Sequence, residues 1–252
     1  MHIYKKFIFF IFLSISVTSN SKILPFSENY DDMKTAHSNK GFDELAKLNW
    51  KVTGKVFKYK KALNIKFPGE YLYFYGKWFP APNNTSGSFS GIEKDPTDKK
   101  NNFLNIYNDY NNRGAHEKGF IVNAIFAKEF KISKKDINKT IILNFDAKRP
   151  NKINYGNDYD YSQAVGNACK NICEAQAFIK IMNPKNQWAV TRSSIKNTSK
   201  LSQEKWTNHS IQLKIDNKDL MGQILQVGFE SYATGDDNTG VYYDNLSLTV
   251  TD

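Results

Sequence analysis

Two kinds of residue in this 252-residue chain could do chemistry: carboxylates set among apolar neighbours, and aromatic rings set beside amides. The closing stretch "GVYYDNLSLTV", Gly240 to Val250, shows the first. Read as a strand of period two, it puts Tyr242, Asp244, Leu246, Leu248 and Val250 on one face and Val241, Tyr243, Asn245, Ser247 and Thr249 on the other. The second set ends in polar residues, so the first is expected to face the core, with Asp244 in the apolar row. An unpaired buried charge costs several kcal/mol, so Asp244 needs a partner. Asp43, directly after Phe42, is a candidate, since sandwich folds often bring the chain ends together. Two adjacent carboxylates repel unless a cation lies between them, and calcium accepts oxygen ligands of this kind. Asp43 and Asp244 would then share a structural calcium that ties the first strand to the last. Hydrogen bonds from backbone amides, or a lysine, are the open alternative.

The second kind suits a sugar, whose rings offer apolar C–H faces rimmed by hydroxyls. Such a ligand calls for flat aromatic platforms flanked by amides and charged groups. "EYLYFYGKW" sets Tyr71, Tyr73 and Tyr75 on one face with Trp78 just beyond; the same rings could instead pack in the core. Trp188, in "NPKNQWAVTR", follows a turn signal and lies near Arg192, while Tyr159 and Tyr161 of "NDYDY" could flank it. Tyr107 and Tyr110 are further candidates, and Gln176 and Gln226 oppose apolar rows, where they could line a concave face. The expected partner is a polysaccharide or glycan.

Catalytic patterns are missing. "GSFSG" has Phe89 where a serine nucleophile would stand, and there is no HExxH zinc motif. No closely spaced acidic trio of the E-x-D-x-x-E form occurs. Two carboxylates can still meet in space, for example Asp158 or Asp160 with Glu230, so hydrolysis or lyase chemistry stays open beside a non-catalytic binder. A surface adhesion or scaffold domain is the third reading.

The chain opens "MHIYKKFIFFIFLSISVTSNSK". A basic start, an apolar run from Phe7 to Val17 too short to cross a bilayer as a helix, and small residues after it read as a secretory signal over residues 1–19. No later segment is long and apolar enough to span a membrane, so a secreted, periplasmic or extracellular protein is expected. The formal net charge is +10, which could favour acidic glycans or anionic surfaces. Dispersed lysines amid abundant Asn and Ile are equally a matter of composition, and no nucleic-acid-binding module is present. An oxidising compartment would join Cys169 to Cys173; so short a loop contributes about 2 kcal/mol.

These residues need elements to hold them. After a polar, irregular stretch over residues 20–38 that reads as a flexible lead-in, alternation dominates: Leu63, Ile65 and Phe67; Leu104 and Ile106; Val122, Ala124 and Phe126; Ile141, Leu143, Phe145 and Ala147. It continues in Ala175 to Ile181, Ile211 to Ile215 and Leu225 to Phe229. Clusters of Gly, Asn, Pro and Asp separate these runs, and "FDELAKL" is the best short helix candidate. The pattern predicts an all-β, antiparallel sandwich in a single domain.

The order Asn39, Gly41, Phe42, Asp43 and Trp50, then "TIILNFDAK", "EKWTNHSIQL" with Trp206, and "GVYYDNLSL" resembles the jelly-roll carbohydrate-binding modules of families four, nine and twenty-two, a galactose-binding-like β-sandwich. The likeness covers roughly residues 39–252. It implies a jelly roll, glycan binding, structural roles for Trp50 and Trp206, and a calcium between the acidic residue after the first Phe and the Asp of the last strand. Asp43 stands where a Glu is usual in that family. Residues 68–100 form a long loop insert relative to it.

Overall fold

Alternation is cleanest in "TIILNFDAK", and there the chain forms β8 (Thr140–Lys148), whose Ile141, Leu143, Phe145 and Ala147 are fully buried between half-buried neighbours. The computed structural model describes residues 22–34, 36–37, 45–59, 69–75, 90–95, 98–108, 120–149, 154–155, 159–160, 173–234 and 239–252. At 36–37, 52, 73–75, 90, 107–108, 122, 154–155, 159–160, 173, 233–234 and 239 only the backbone is described. Two antiparallel sheets pack face to face as a jelly-roll sandwich. One orders β13 (Thr207–Lys214), β8, β15 (Thr239–Thr251), β6 (Asn102–Asn108), β5 (Ser90–Lys94) and β2 (Ala36–His37), with β1 (Phe26–Glu28) also paired to β15. The other orders β12 (Ala189–Asn197), β11 (Cys173–Asn183), β14 (Ile224–Thr234), β7 (Ile121–Lys131), β3 (Lys51–Lys58) and β4 (Glu70–Tyr75). A two-stranded pair, β9 (Asn154–Tyr155) with β10 (Tyr159–Asp160), stands apart.

The inner faces meet in an aromatic centre. Phe229 stacks on Tyr243 with centroids 3.8 Å apart, and Phe145 meets Phe229 edge-on at 5.3 Å. The buried Tyr243 hydroxyl shares a 2.8 Å hydrogen bond with Thr198, so its polar end is satisfied in the core. Trp50 stacks on Phe126 at 4.2 Å and donates its Nε1–H to Glu28 at 2.6 Å. Glu28 also pairs with Lys128, whose ammonium lies over the rings of Phe26 and Trp50. This buried ion pair is thus neutralised and hydrogen-bonded from two sides.

The closing strand departs from the expected phase. Register against β8 slips between Asp244 and Ser247, and Asn245 adopts a left-handed φ of 49°. A β-bulge of this kind inserts a residue and switches the face on which later side chains fall. Val241 and Tyr243 therefore point inward before it, and Leu246 and Leu248 after it. Asp244 does not belong to the core-facing row: it sits opposite Asp146 on the outer face of its sheet. The bulge also divides the edge, Thr239–Tyr243 pairing with β6 and Leu246–Leu248 with β1.

Two further expectations change. Much of the predicted lead-in is part of the sandwich: Ile23 and Tyr30 are fully buried, and Asp136 accepts from the Ile23 amide at 3.0 Å. The predicted insert at 68–100 contributes β4 to one sheet and β5 to the other. "FDELAKL" does hold a helical turn at 45–47. The proposed signal at 1–19, the run from Leu63 to Phe67, and Cys169 lie outside the described residues, as does the side chain of Cys173.

Gly228 marks how closely β14 and β7 approach. A Cβ there would stand 2.0 Å from the Phe126 carbonyl oxygen, and backbone cannot yield to it. Gly228→Ala is expected to cost about 3 kcal/mol, read as a lowered midpoint in urea unfolding.

Candidate functional site

The outer face of the six-stranded sheet is built by the residues that alternate with its core row. Register places Gln176, Phe178, Lys180 and Met182 of β11 beside Glu230, Gly228, Gln226 and Ile224 of β14, each pair on neighbouring strands. Across β14, Gln226 faces Glu129, Gly228 faces Ala127 and Glu230 faces Ile125 of β7. Small residues at Ala127 and Gly228 leave the middle low, with buried Ile125, Ala127 and Phe178 packed as its apolar floor.

A cleft of about 750 Å³ crosses this face. Tyr71 of β4 and Trp188 of the β11–β12 hairpin are at its two ends, the residues 52 % and 54 % exposed. Between them the lining alternates in character: Phe57, Ile125 and Met182 are apolar, while Thr53, Lys55, Glu129, Gln187 and Gln226 are polar. Tyr71 is held edge-on to Phe57 at 6.0 Å. The lining covers five neighbouring strands, roughly 19 Å across the strands at the usual spacing, and runs diagonally, from Phe57 and Tyr71 beside one end of β7 to Met182 beside the other.

Trp188 is held there by a strained turn. The hairpin closes with Ala189 N–H donating to Asn186 O at 2.8 Å and Trp188 N–H to Asn183 O at 3.0 Å. The two central residues, Gln187 and Trp188, have φ of 49° and 62°. Mirror-image hairpin turns demand such angles, and sequences normally supply Asn or Gly there. A bulky aromatic in the left-handed region carries strain, which structures retain where a side chain must be aimed.

The charged groups on this face are mostly paired. Glu129 pairs with Lys51 and accepts from Gln226 Nε2 at 3.1 Å. Glu230, only 2 % exposed, gathers Gln176, Lys180 and the Tyr232 hydroxyl. Burial, then the charge and hydrogen bond of Glu230, push the Tyr232 phenol well up. Burial pulls the Lys55 ammonium down from its usual value, with Glu230 opposing and Lys180 reinforcing that shift.

Of the residues singled out from sequence, the cleft gathers Trp188, Tyr71 and Gln226; Gln176 shares the face but is bonded to Glu230. Arg192 does not join them. It registers opposite Ile181, a core-row residue, and donates to the Thr191 carbonyl. Only the backbone is described for Tyr73, Tyr75, Tyr107 and Tyr159, while Trp78, Tyr110, Tyr161 and Asp158 lie outside the described residues. Lys55, Glu129, Phe57, Thr53, Ile125 and Met182 had no sequence signal beyond alternation in strands whose register was unknown.

Asp244 sits at a second site, on the outer face of the seven-stranded sheet. It is 3 % exposed beside a cavity of about 330 Å³ lined also by Asp31, Asp146, Asn101 and Trp206. Its Oδ1 accepts from the Asn245 amide at 2.7 Å. With its nitrogen turned toward the acids, the Asn101 side chain donates to Asp244 Oδ2 at 3.0 Å and to Asp31 Oδ1 at 3.2 Å. Asp146 accepts from Asn208 and Asn245, each at 2.9 Å. Burial pushes the Asp244 carboxyl up to about 6 against the pull of the Asn245 amide, with Asp31 and Asp146 adding to the rise. Amide donors thus satisfy Asp244. Asp43 lies outside the described residues, and among those described no three His, Cys, Asp or Glu side chains stand at metal-ligand spacing. The donor chemistry still suits a hard cation: two carboxylates flank an amide that can present oxygen as readily as nitrogen.

No family model matches the chain, and no curated protein is similar to it. Among solved structures, a cyclase from Fischerella sp. TAU in complex with 4-(1H-indol-3-yl)butan-2-one is 12 % identical, over 86 % of this chain and 97 % of that one, at a TM-score of 0.42. A structure of carbohydrate-binding modules from the β-sandwich superfamily is 11 % identical, over 73 % and 70 %, at 0.35. A family 61 carbohydrate-binding module in complex with β-1,4-galactotriose is 12 % identical, over 65 % and 85 %, at 0.32. Cyclases and sugar binders both appear, and likenesses this loose carry no function.

The strained turn yields a direct expectation. Replacing Gln187 by glycine relieves one left-handed residue without touching Trp188, and is expected to stabilise the fold by about 1 kcal/mol, seen as a raised urea midpoint.

Proposed function

We propose that this is a secreted, non-catalytic glycan-binding protein whose polysaccharide lies in the cleft between Trp188 and Tyr71. The observation that carries this reading is the pair of exposed rings at opposite ends of one sheet-crossing cleft, with amide, hydroxyl and ionic groups between them. Aromatic rings stack on the C–H faces of sugars, and Gln226, Gln187 and Thr53 can exchange hydrogen bonds with the rim hydroxyls. An extended polymer fits a cleft that runs across strands better than a compact ligand does.

The enzyme alternative is less well served. Glu174 is on the same face near Glu230, but it does not line the cleft and accepts from Asn197 and Ser199. The other described carboxylates on the interior strands of this face are Glu129 and Glu230, and register sets these two four residues apart along neighbouring strands. That is roughly 13 Å along the strand direction, beyond the roughly 5 to 9.5 Å over which paired carboxylates cleave glycosides. Both are also held by lysines, so neither is poised to deliver or take a proton.

Binding is tested by affinity electrophoresis on a panel of polysaccharides. Trp188→Ala and Tyr71→Ala are each expected to weaken retention about tenfold, the loss of one stacking contact of about 1.4 kcal/mol. No retention on any polymer would end the proposal.

A structural calcium at Asp244 belongs to the same reading. Asp31, Asp244 and the Asn101 amide oxygen would hold it, and the ion would supply positive charge between carboxylates that accept from amides in a cavity also lined by Lys100. Calcium is expected to raise the melting temperature relative to chelator, and Asp244→Asn to abolish that response. A melting temperature indifferent to both would remove the ion.

A further inference from the structure

Resting on the glycan-binding reading, we infer that the ligand bears an anionic substituent, a carboxylate or a sulfate on the sugar, and that Lys55 receives it. Two ionised side chains line the cleft, Lys55 and Glu129. Glu129 already has its counter-charge in Lys51 and an amide from Gln226. Among the described residues no carboxylate comes within ion-pair distance of Lys55. Its nearest anionic influence is Glu230, whose own oxygens are taken by Lys180, Gln176 and Tyr232.

Lys55 is also the half-buried ammonium of this set. It stands on β3, one strand in from Tyr71, in line with Thr53 and Phe57 on the same face. Burial disfavours its charge, the attraction of Glu230 offsets part of that and Lys180 adds repulsion, so the cleft holds a cation without an ion-pair partner of its own among the described residues. Removing an ammonium from water without a partner is costly. An anion on the ligand would offset that cost at the moment of binding, while Tyr71 beside it covers the sugar ring. A neutral glycan would gain the stacking but leave Lys55 uncompensated and further desolvated. The cleft therefore discriminates by charge, independently of the protein's dispersed lysines.

The test compares polygalacturonate with its methyl ester, and dextran sulfate with dextran, at physiological ionic strength where long-range attraction to the basic surface is screened. The wild-type protein is expected to retain on a charged polymer at least about tenfold better than on its neutral counterpart. The charged member of one pair alone identifies carboxylate or sulfate as the source. Lys55→Met, which keeps the apolar stem, is expected to erase that preference, and Lys55→Arg to restore it. Equal retention of charged and neutral polymers by the wild-type protein overturns the inference while leaving glycan binding intact. An unchanged preference in Lys55→Met overturns it as well, by tracing the selectivity to overall charge. Retention on none of the four, nor on a neutral panel, defeats the glycan reading itself. The esterified pair needs no variant, so the outcome does not hang on whether Lys55→Met folds.

Discussion

The bulge at Asp244 and Asn245 is the constraint on which the sandwich turns. A uniform strand would send one alternate row inward along its whole length, and in this sequence that row would carry Asp244 into the core. One inserted residue at a left-handed φ, which Asn tolerates better than most side chains, hands the inward role from Val241 and Tyr243 to Leu246 and Leu248. The same break lets β15 exchange one neighbour for another, β6 before it and β1 after it. The amino-terminal segment thereby gains a docking edge, and with it the Glu28–Lys128 pair and the Trp50 hydrogen bond close over that end of the core. Asp244 is left on the outer face opposite Asp146. Like charges directly across a strand pair are unfavourable, which explains why so many amide donors converge there.

Much of this was legible in the sequence, for a reason that also sets the limit. Period two survives wherever one face is buried, so "TIILNFDAK" and the rows of β11 and β14 announced their inward residues correctly. The exposure of Trp188 was legible too, because a tryptophan after turn residues has little core to enter, whereas the alternation around Tyr71 read equally well as core packing. What failed depended on phase and register. The bulge was hidden because "YYDNLSL" reads equally well as an unbroken strand. Arg192 was placed beside Trp188 on sequence distance, yet pairing across β11, which itself slips between Ile181 and Met182, carries it to the opposite parity. Lys55 and Glu129 look like ordinary solvated strand residues until pairing brings β3, β7 and β14 side by side. The amino-terminal strand was too short and polar to announce itself, although Ile23 and Tyr30 are fully buried.

The cleft and the acidic cavity stand on opposite surfaces of the sandwich. The cleft lies on the outside of the six-stranded sheet; the acidic cavity lies on the outside of the seven-stranded one. Between them are both sheets, packed roughly 10 Å apart, and the aromatic core of Phe145, Phe229 and Tyr243. On the proposed reading, a cation at Asp244 would act on a glycan in the cleft only through the rigidity of the fold. The route for such an effect is short: Tyr243 precedes Asp244 in the chain and stacks on Phe229, which is flanked in β14 by Gly228 and Glu230 of the cleft-bearing face. The bulge thus fixes the acidic cavity and the cross-strand register of the facing sheet fixes the cleft, and the stacked pair of Tyr243 and Phe229 lies between them.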